Sequence, residues 1–270
     1  MHTMNNLEMQ QYLFDLHGFL VIEDVLGREE VAHLNALIDA QNLPPPEEMR
    51  RIGSAAGKAP AVPGFLDWGK PFSDLLDHDR ILPILRFRLG DSFRLDRLYG
   101  IQMSKGMPRS ILHADYGATA SGSRARPGEF YHLNDGSNPD GFVVVSWSLT
   151  DSGPDHGGFW CIPGSHKSNF KLPQAISDTP GKYPVLVTPQ APAGSVTLFT
   201  EALTHGTAEW KGEHNRRSLL FKYCQSHITW SPIRVQAPDG YELTPRQKQL
   251  LADPADPYHF KRSLFGEAEA

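Results

Sequence analysis

Two histidines and one aspartate are the residues of this 270-residue sequence best suited to hold a metal ion. His113 and Asp115 are two positions apart, so both side chains would point to the same face of an extended strand. His205 follows His113 by 92 positions (205 − 113), which fits a strand that returns from the other side of a barrel. Two neutral imidazoles and one carboxylate suit divalent iron and leave three adjacent coordination positions open. We therefore predict that His113, Asp115 and His205 bind Fe(II).

An arginine that follows the third candidate ligand would suit a carboxylate. The planar guanidinium binds a carboxylate through two parallel hydrogen bonds. Arg216 and Arg217 begin a predicted strand that runs to Cys224. Because adjacent strand residues face opposite ways, only one of the two arginines can point inward, and Ser218 would share the face of Arg216. The inward arginine could hold the far carboxylate of a 2-oxo acid co-substrate.

The wider sequence resembles the phytanoyl-CoA dioxygenase family of Fe(II)/2-oxoglutarate-dependent oxygenases. The most specific parts of the resemblance are the Pro163–Lys167 turn and the spacing of 11 positions between His205 and Arg216 (216 − 205). This spacing favours Arg216 over Arg217 as the inward residue. The resemblance extends from about Leu13 to Cys224, and its matching segments are Gly18–Ile22, His113–Asp115, Gly157–Lys167, Ala193–Phe199, and His205 with Arg216.

The resemblance implies a reaction and a set of cofactors. Fe(II) would be held by His113, Asp115 and His205, and 2-oxoglutarate would chelate the iron while its 5-carboxylate pairs with Arg216. With O₂, the enzyme would decarboxylate 2-oxoglutarate to succinate and CO₂ and hydroxylate an unactivated C–H of a small-molecule metabolite. A small residue at position 115 would open a site for halide, so Asp115 argues against a halogenase.

Two other classes of protein are open on the residues alone. A zinc hydrolase could use the same two histidines and carboxylate. It would normally bring a separate general base, which the sequence does not indicate, and it would not need Arg216. A catalytically silent cupin-like binding protein would keep the pocket without the reaction. The complete triad together with Arg216 argues against this class.

Further residues are candidates to border the co-substrate or the substrate. Gln102 would face the pocket from a strand over Phe93 to Lys105, and Ser146 and Ser218 would border the co-substrate from two other strands. The segment Gly117–Gly141 is rich in Gly, Ser, Asn, Asp and Pro, which is typical of a lid or binding loop. Its candidate substrate contacts are Arg124, Arg126, Tyr131 and His132.

Two other groups of polar residues have alternative interpretations. A basic cluster could contact an acidic substrate or pair with nearby acids such as Asp91 and Asp96. His166 lies in the Pro-Gly turn, where a structural hydrogen bond is expected rather than a metal bond. The members of the basic cluster are Arg86, Arg88, Arg94 and Arg97.

Short apolar segments between Gly and Pro turns predict a mainly β sandwich or barrel. The resemblance narrows this class to a double-stranded β-helix, the cupin-like jelly roll, buttressed by N-terminal helices. Amphipathic helices are predicted over Leu7–His17 and Arg28–Ala40. We expect one domain over 1–270, with a helical N-terminal part at about 7–92, a jelly-roll core at about 93–224 and a C-terminal extension at 225–270.

Composition and charge argue against several partners. The net charge of −5 and the pI near 6.2 provide no basic field for nucleic acid. No run approaches the ~18 apolar residues of a membrane span, and Met1–Gln10 lack the apolar core of a signal peptide. Cys161 and Cys224 are predicted to be free thiols in a reducing compartment, so a cytoplasmic protein is expected. The predicted partner is a small-molecule substrate, and no feature indicates an oligomeric state.

Overall fold

The computed structural model describes residues 7–53, 64–116, 140–232, 234–256 and 263–266. The predicted lid falls almost entirely on 117–139 and lies outside these residues. The four candidate substrate contacts in that segment, Arg124, Arg126, Tyr131 and His132, also lie outside them.

The N-terminal and C-terminal parts of the chain both contain α-helices. The two predicted amphipathic helices are present, and the second ends at Asp39. In the described residues the α-helices are α1 Leu7–His17, α2 Arg28–Asp39, α3 Lys70–Asp74, α4 Leu82–Leu89, α5 Gln174–Asp178 and α6 Pro245–Leu250, and 3₁₀ turns lie at Gly64–Trp68, Ser165–Lys167 and Pro180–Lys182. None of the helices in this part of the chain is long and apolar enough to cross a membrane.

The strands form two antiparallel sheets, so the mainly β prediction is confirmed. The large sheet has the order β1-β6-β4-β8-β3-β2, and the small sheet pairs β5 with β7. The strands are β1 Phe19–Ile22, β2 Arg51–Ile52, β3 Phe93–Met103, β4 Phe142–Ser148, β5 Gly158–Cys161, β6 Val196–Thr200, β7 His205–Ala208 and β8 Arg216–Gln225. Every pairing between these strands is antiparallel.

The large sheet buries both of its faces. On β8, Leu219 and Phe221 pack into a core with the helices, and Leu220 packs into a second core that faces the small sheet. On β4, Trp147 belongs to the helix-side core, so Ser146 points the other way. Alternation along each strand therefore separates a helix-side face from a face directed at the small sheet.

The turn after α1 joins the helix layer to the small sheet. Gly18 has φ of +78°, and its N–H donates to Phe14 O at 2.7 Å. A Cβ at this position would stand 2.4 Å from His166 Nδ1, so the close packing of the imidazole requires glycine. His166 Nε2–H donates to Asp15 O at 2.9 Å. The buried His166 thus has the structural hydrogen bond predicted for it.

Single bridges extend the small sheet at both edges. His113 bridges to His205, and Val187 bridges to Cys161. Cys161 and Cys224 are buried free thiols, as predicted.

We expect Phe221→Ala to lower the free energy of unfolding by about 3–5 kcal/mol, because it removes a fully buried ring from the core. The Phe221 ring is 0% exposed and meets Phe65 edge-on at 5.2 Å between centroids. Phe170→Ala is the matched control, since Phe170 is 83% exposed. Urea unfolding measures both changes, and equal losses in the two variants would contradict the assignment of this core.

Candidate metal and co-substrate site

A cavity of about 340 Å³ lies between the two sheets. The large sheet contributes its lining from β2, β3, β4, β6 and β8, and the small sheet contributes from β5 and β7. The described lining residues are Arg50, Arg51, Arg97, Tyr99, Ile101, Ser110, His113, Asp115, Ser146, Phe159, Phe199, His205, Gly206, Thr207, Arg216, Leu220 and Lys222.

The structure brings the three predicted metal ligands together in this cavity. His113 and His205 exchange two backbone hydrogen bonds of 2.9 and 2.8 Å, which places their rings side by side with centroids 4.6 Å apart. Asp115 Oδ1 stands 3.9 Å from His113 Nε2. A long-range bridge between two distant segments therefore creates the cluster.

Backbone carbonyls fix the tautomer of both imidazoles. His113 Nδ1 lies 3.2 Å from Ile111 O, and His205 Nδ1 lies 2.8 Å from Leu203 O. A carbonyl can only accept, so each Nδ1 must carry the hydrogen, and each Nε2 keeps a free lone pair. Metal-binding histidines are oriented by carbonyl contacts of this kind.

The protonation states also suit a cation. Burial lowers the pKa of His205 to about 4, so its imidazole is neutral near pH 7. Burial by itself would raise the pKa of Asp115, but the Lys222 ammonium and the two imidazoles hold it well below its ordinary value. The cluster thus presents a neutral His205 imidazole and an ionised Asp115 carboxylate beside His113, and two imidazoles with one carboxylate are the donor set expected for iron.

Lys222 forms an ion pair with the carboxylate of Asp115. Its Nζ donates to Asp115 Oδ2 at 2.8 Å, and the lysine is only 6% exposed. The two carboxylate oxygens therefore have different neighbours, because Oδ1 faces His113 and Oδ2 faces the ammonium. Such a contact would orient the carboxylate while leaving one oxygen for a metal.

The donor atoms of the triad are slightly farther apart than the donor atoms of a site that holds its metal ion. The residues that the structure describes contain no three His, Cys, Asp or Glu side chains already gathered closely enough to hold an ion. Metal–ligand bonds of about 2.1 Å place neighbouring donors about 3 Å apart, compared with 3.9 Å between Asp115 Oδ1 and His113 Nε2. A shift of roughly 1 Å in side-chain positions would close this gap.

Arg216 is a buried cation without a carboxylate partner in the described residues. Arg216 is only 5% exposed, and its Nη1 contacts Met103 Sδ at 3.7 Å. Burial, and then the charge of Arg50, lower the pKa of Arg216 to about 10. A Cβ on Gly158 would stand 3.2 Å from Arg216 Nε, so glycine leaves room for the guanidinium. A buried charge of this kind requires an anionic partner.

Arg217 points to the other face of β8, which settles the choice between the two arginines. Its Nη2 pairs with Asp39 Oδ1 at 2.5 Å, and its Nη1 donates to Asn35 Oδ1 at 3.2 Å. Both partners lie on α2. Arg216 is consequently the arginine that reaches the cavity.

The serine predictions and the glutamine prediction have different outcomes. Ser146 lines the cavity. Ser218 pairs with Ile101 in the sheet, and its buried Oγ has no hydrogen-bond partner among the described atoms. The prediction for Gln102 is wrong: its Nε2 donates to Pro44 O at 3.0 Å and Met49 O at 2.8 Å, away from the cavity.

A β-bulge explains the misplacement of Gln102. The β3–β8 register shifts between Leu95 and Arg97. A bulge inserts one extra residue and reverses the alternation beyond it. Before the bulge Leu95 faces the helix-side core, and after it Leu98 does so. Gln102 therefore shares the face of Leu98, and Arg97 is brought into the cavity.

Sequence reasoning missed several residues of the site. Strand alternation from Arg216 would have found Lys222, which shares its face of β8. The sequence indicates Arg97 only as a member of a basic cluster, and it contains no signal for Arg50. No short-range signal indicated Glu201.

Glu201 connects the chain segments on both sides of 117–139. Its carbonyl accepts hydrogen bonds from the N–H groups of Asp115 at 2.9 Å and Tyr116 at 3.2 Å. Its carboxylate accepts from Gly141 N at 2.7 Å and Phe142 N at 3.3 Å. Burial, followed by the nearby charge of Asp140, raises the pKa of Glu201 to about 7. This residue thereby fixes the backbone position of the candidate ligand Asp115.

The comparisons with known proteins agree with this geometry. The family model "Phytanoyl-CoA dioxygenase (PhyH)" matches residues 14–218. Ectoine dioxygenase from Sphingopyxis alaskensis is 24% identical in an alignment of 274 residues. The match covers 86% of this chain and 79% of that protein.

Solved structures show the same fold. HygX from Streptomyces hygroscopicus, with nickel and 2-oxoglutarate bound, is 26% identical with a TM-score of 0.66, and the match covers 82% of this chain and 87% of HygX. HygX has also been solved with nickel, 2-oxoglutarate and hygromycin B, at 28% identity, a TM-score of 0.64 and coverage of 82% and 88%. EctD from S. alaskensis with bound Fe is 22% identical, has a TM-score of 0.59 and is matched over 91% of this chain and 84% of EctD; it supports the fold alone.

The family match covers most of the chain, including all three candidate ligands and Arg216. The two facing antiparallel sheets are those of the predicted jelly roll, and the related structures hold metal and 2-oxoglutarate. The chain therefore belongs to the phytanoyl-CoA dioxygenase family of Fe(II)- and 2-oxoglutarate-dependent dioxygenases.

Proposed function

We propose that the protein hydroxylates an unactivated C–H bond of a small-molecule metabolite and releases succinate and CO₂ from 2-oxoglutarate. The observation that carries this proposal is the placement of a His–Asp–His cluster and a buried, unpaired arginine in one cavity. Iron, when bound with 2-oxoglutarate, supplies the oxygen activation that protein side chains cannot. The side chains bind and orient the reactants.

His113, Asp115 and His205 would hold the iron. Their support is the pair of carbonyl-anchored imidazoles, whose Nε2 lone pairs are free. Lys222 would keep one oxygen of Asp115 occupied, so the other oxygen can bind the metal. A carboxylate at position 115 also fits hydroxylation rather than halogenation, because it fills the position that a halide would need.

Arg216 would bind the 5-carboxylate of 2-oxoglutarate, and Ser146 and Ser218 would border the co-substrate. A guanidinium can take a carboxylate through two hydrogen bonds, and the burial of Arg216 strengthens the need for such a partner. The free Oγ of Ser218 shares the same face of β8. Arg50 supports this end of the cavity with a second positive charge.

The hydrolase alternative lacks a general base in the described lining. The carboxylate and the two imidazoles there are those of the triad itself. A zinc hydrolase would normally place another acid or histidine close to the metal. The buried Arg216 would also have no function in such an enzyme.

Small-molecule substrates of related proteins support the substrate class. One solved form of HygX contains hygromycin B, and the curated relative is an ectoine dioxygenase. We retain Arg124, Arg126, Tyr131 and His132 as proposed substrate contacts.

Replacing one imidazole should abolish the metal site. We expect anaerobic addition of Fe(II) and 2-oxoglutarate to give a visible charge-transfer band in the wild type and none in His113→Ala. The triad of donors would then be incomplete. His214→Ala is the control, because the His214 ring lies outside the cavity lining and its Nε2 contacts Asp151 O at 3.0 Å. An unchanged band in His113→Ala, or tight zinc binding in place of iron, would count against the proposal.

Arg216→Gln should weaken 2-oxoglutarate binding about 10- to 100-fold while iron binding persists. Hydrogen bonds to a charged group contribute about 1.5–3 kcal/mol, and each 1.4 kcal/mol is tenfold in affinity. The 2-oxoglutarate concentration that half-forms the charge-transfer band measures the change. Arg217→Gln is the matched control on the opposite face of β8 and should leave this concentration unaltered. The same dependence in both variants would refute the role of Arg216.

A further inference from the structure

The described lining of the cavity carries more positive charge than iron and 2-oxoglutarate require. Its single carboxylate is Asp115, and its cationic side chains are Arg50, Arg51, Arg97, Arg216 and Lys222. Iron and the dianionic co-substrate together add no net charge, and Lys222 is paired with Asp115, so the four arginines have no compensating charge in the described lining. Arg216, supported by Arg50, serves the co-substrate in the proposed function. Arg51 and Arg97 are left over.

Arg97 differs from the other arginines of its sequence cluster. Arg86 pairs with Asp91, Arg88 with Asp140, and Arg94 with Asp96. Arg97 forms no ion pair with any acid that the structure describes, and its buried Nε has no hydrogen-bond partner there. Arg97 lines the cavity instead. An uncompensated, partly buried cation of this kind is suited to an anionic ligand.

Tyr99 is a neighbour of both Arg97 and Arg51 in the lining of the cavity. Tyr99 lies two positions after Arg97 on the same face of β3. The Arg51 guanidinium stands over the Tyr99 ring at 4.9 Å from its centroid. Arg51, Tyr99 and Arg97 all line this cavity.

Arg97 and Arg216 lie at different ends of the β3–β8 pair. Arg97 faces Lys222 across the β3–β8 pair, whereas Met103 faces Arg216. Six positions of β8 separate the two ends (222 − 216), roughly 20 Å of extended strand. One molecule of 2-oxoglutarate cannot neutralise both ends. The Arg97 end is also the end at which Lys222 contacts Asp115.

We propose that the substrate is an anionic small molecule whose carboxylate or phosphate group is bound by Arg97 and Arg51 beside Tyr99. The inference rests on the proposed function, because it takes the Arg216 end as the site of 2-oxoglutarate. Anchoring at Arg97 holds the substrate next to the metal triad and leaves its C–H bonds to face the iron. Arginine suits this role because its fork binds either oxyanion bidentately.

Probe anions added to the protein loaded with Fe(II) and 2-oxoglutarate under anaerobic conditions test the proposal. We expect acetate or inorganic phosphate to shift the charge-transfer band of the wild type, whereas acetamide, the neutral analogue of acetate, has no effect. The anion that acts at lower concentration distinguishes a carboxylate from a phosphate substrate. Total ionic strength is kept constant with chloride.

Arg97→Gln should need at least about tenfold more of the effective anion, with its requirement for 2-oxoglutarate unchanged. Arg86→Gln, on an exposed arginine outside the cavity, is the matched control. Arg51→Gln provides a second test if Arg97→Gln unfolds. Equal responses of wild type and both cavity variants, an equal effect of acetamide, or no shift with any anion would overturn the proposal while leaving the proposed function intact. Absence of the band itself in the wild type would overturn both.

Discussion

The antiparallel pairing of β3 with β8 is the constraint on which the rest of the site depends. Its register places Arg97 opposite Lys222 and Met103 opposite Arg216. One face of the pair is sealed by the helices, so the polar side chains of the other face converge on the cavity. A slip of one residue would send them all into the apolar core.

The buried cations of this site differ in whether the protein itself compensates their charge. Lys222 is compensated within the protein by Asp115, whereas Arg216 and Arg97 have no acidic partner in the described parts of the chain. Burying an uncompensated cation costs free energy, and an anion bound at the proposed sites would offset this cost. Stability and binding are therefore opposed at the same residues.

The two sheets meet through backbone contacts at the triad. His113 and His205 are bridged to each other, and the Glu201 carbonyl holds the N–H of Asp115. The same glutamate binds the N–H groups that begin β4. Because these bonds involve the main chain, the fold fixes the backbone positions of the three proposed ligands.

The sequence by itself determined the residue types of the site and the local elements. His-x-Asp spacing, the 11-residue interval to Arg216 and the periodicity of α1 and α2 are short-range properties, and each is visible in the linear chain. The tertiary structure decided which face each residue takes. The bulge between Leu95 and Arg97 reversed the alternation on β3, moving Gln102 out of the cavity and Arg97 into it, because strand register depends on a distant partner strand rather than on neighbouring residues.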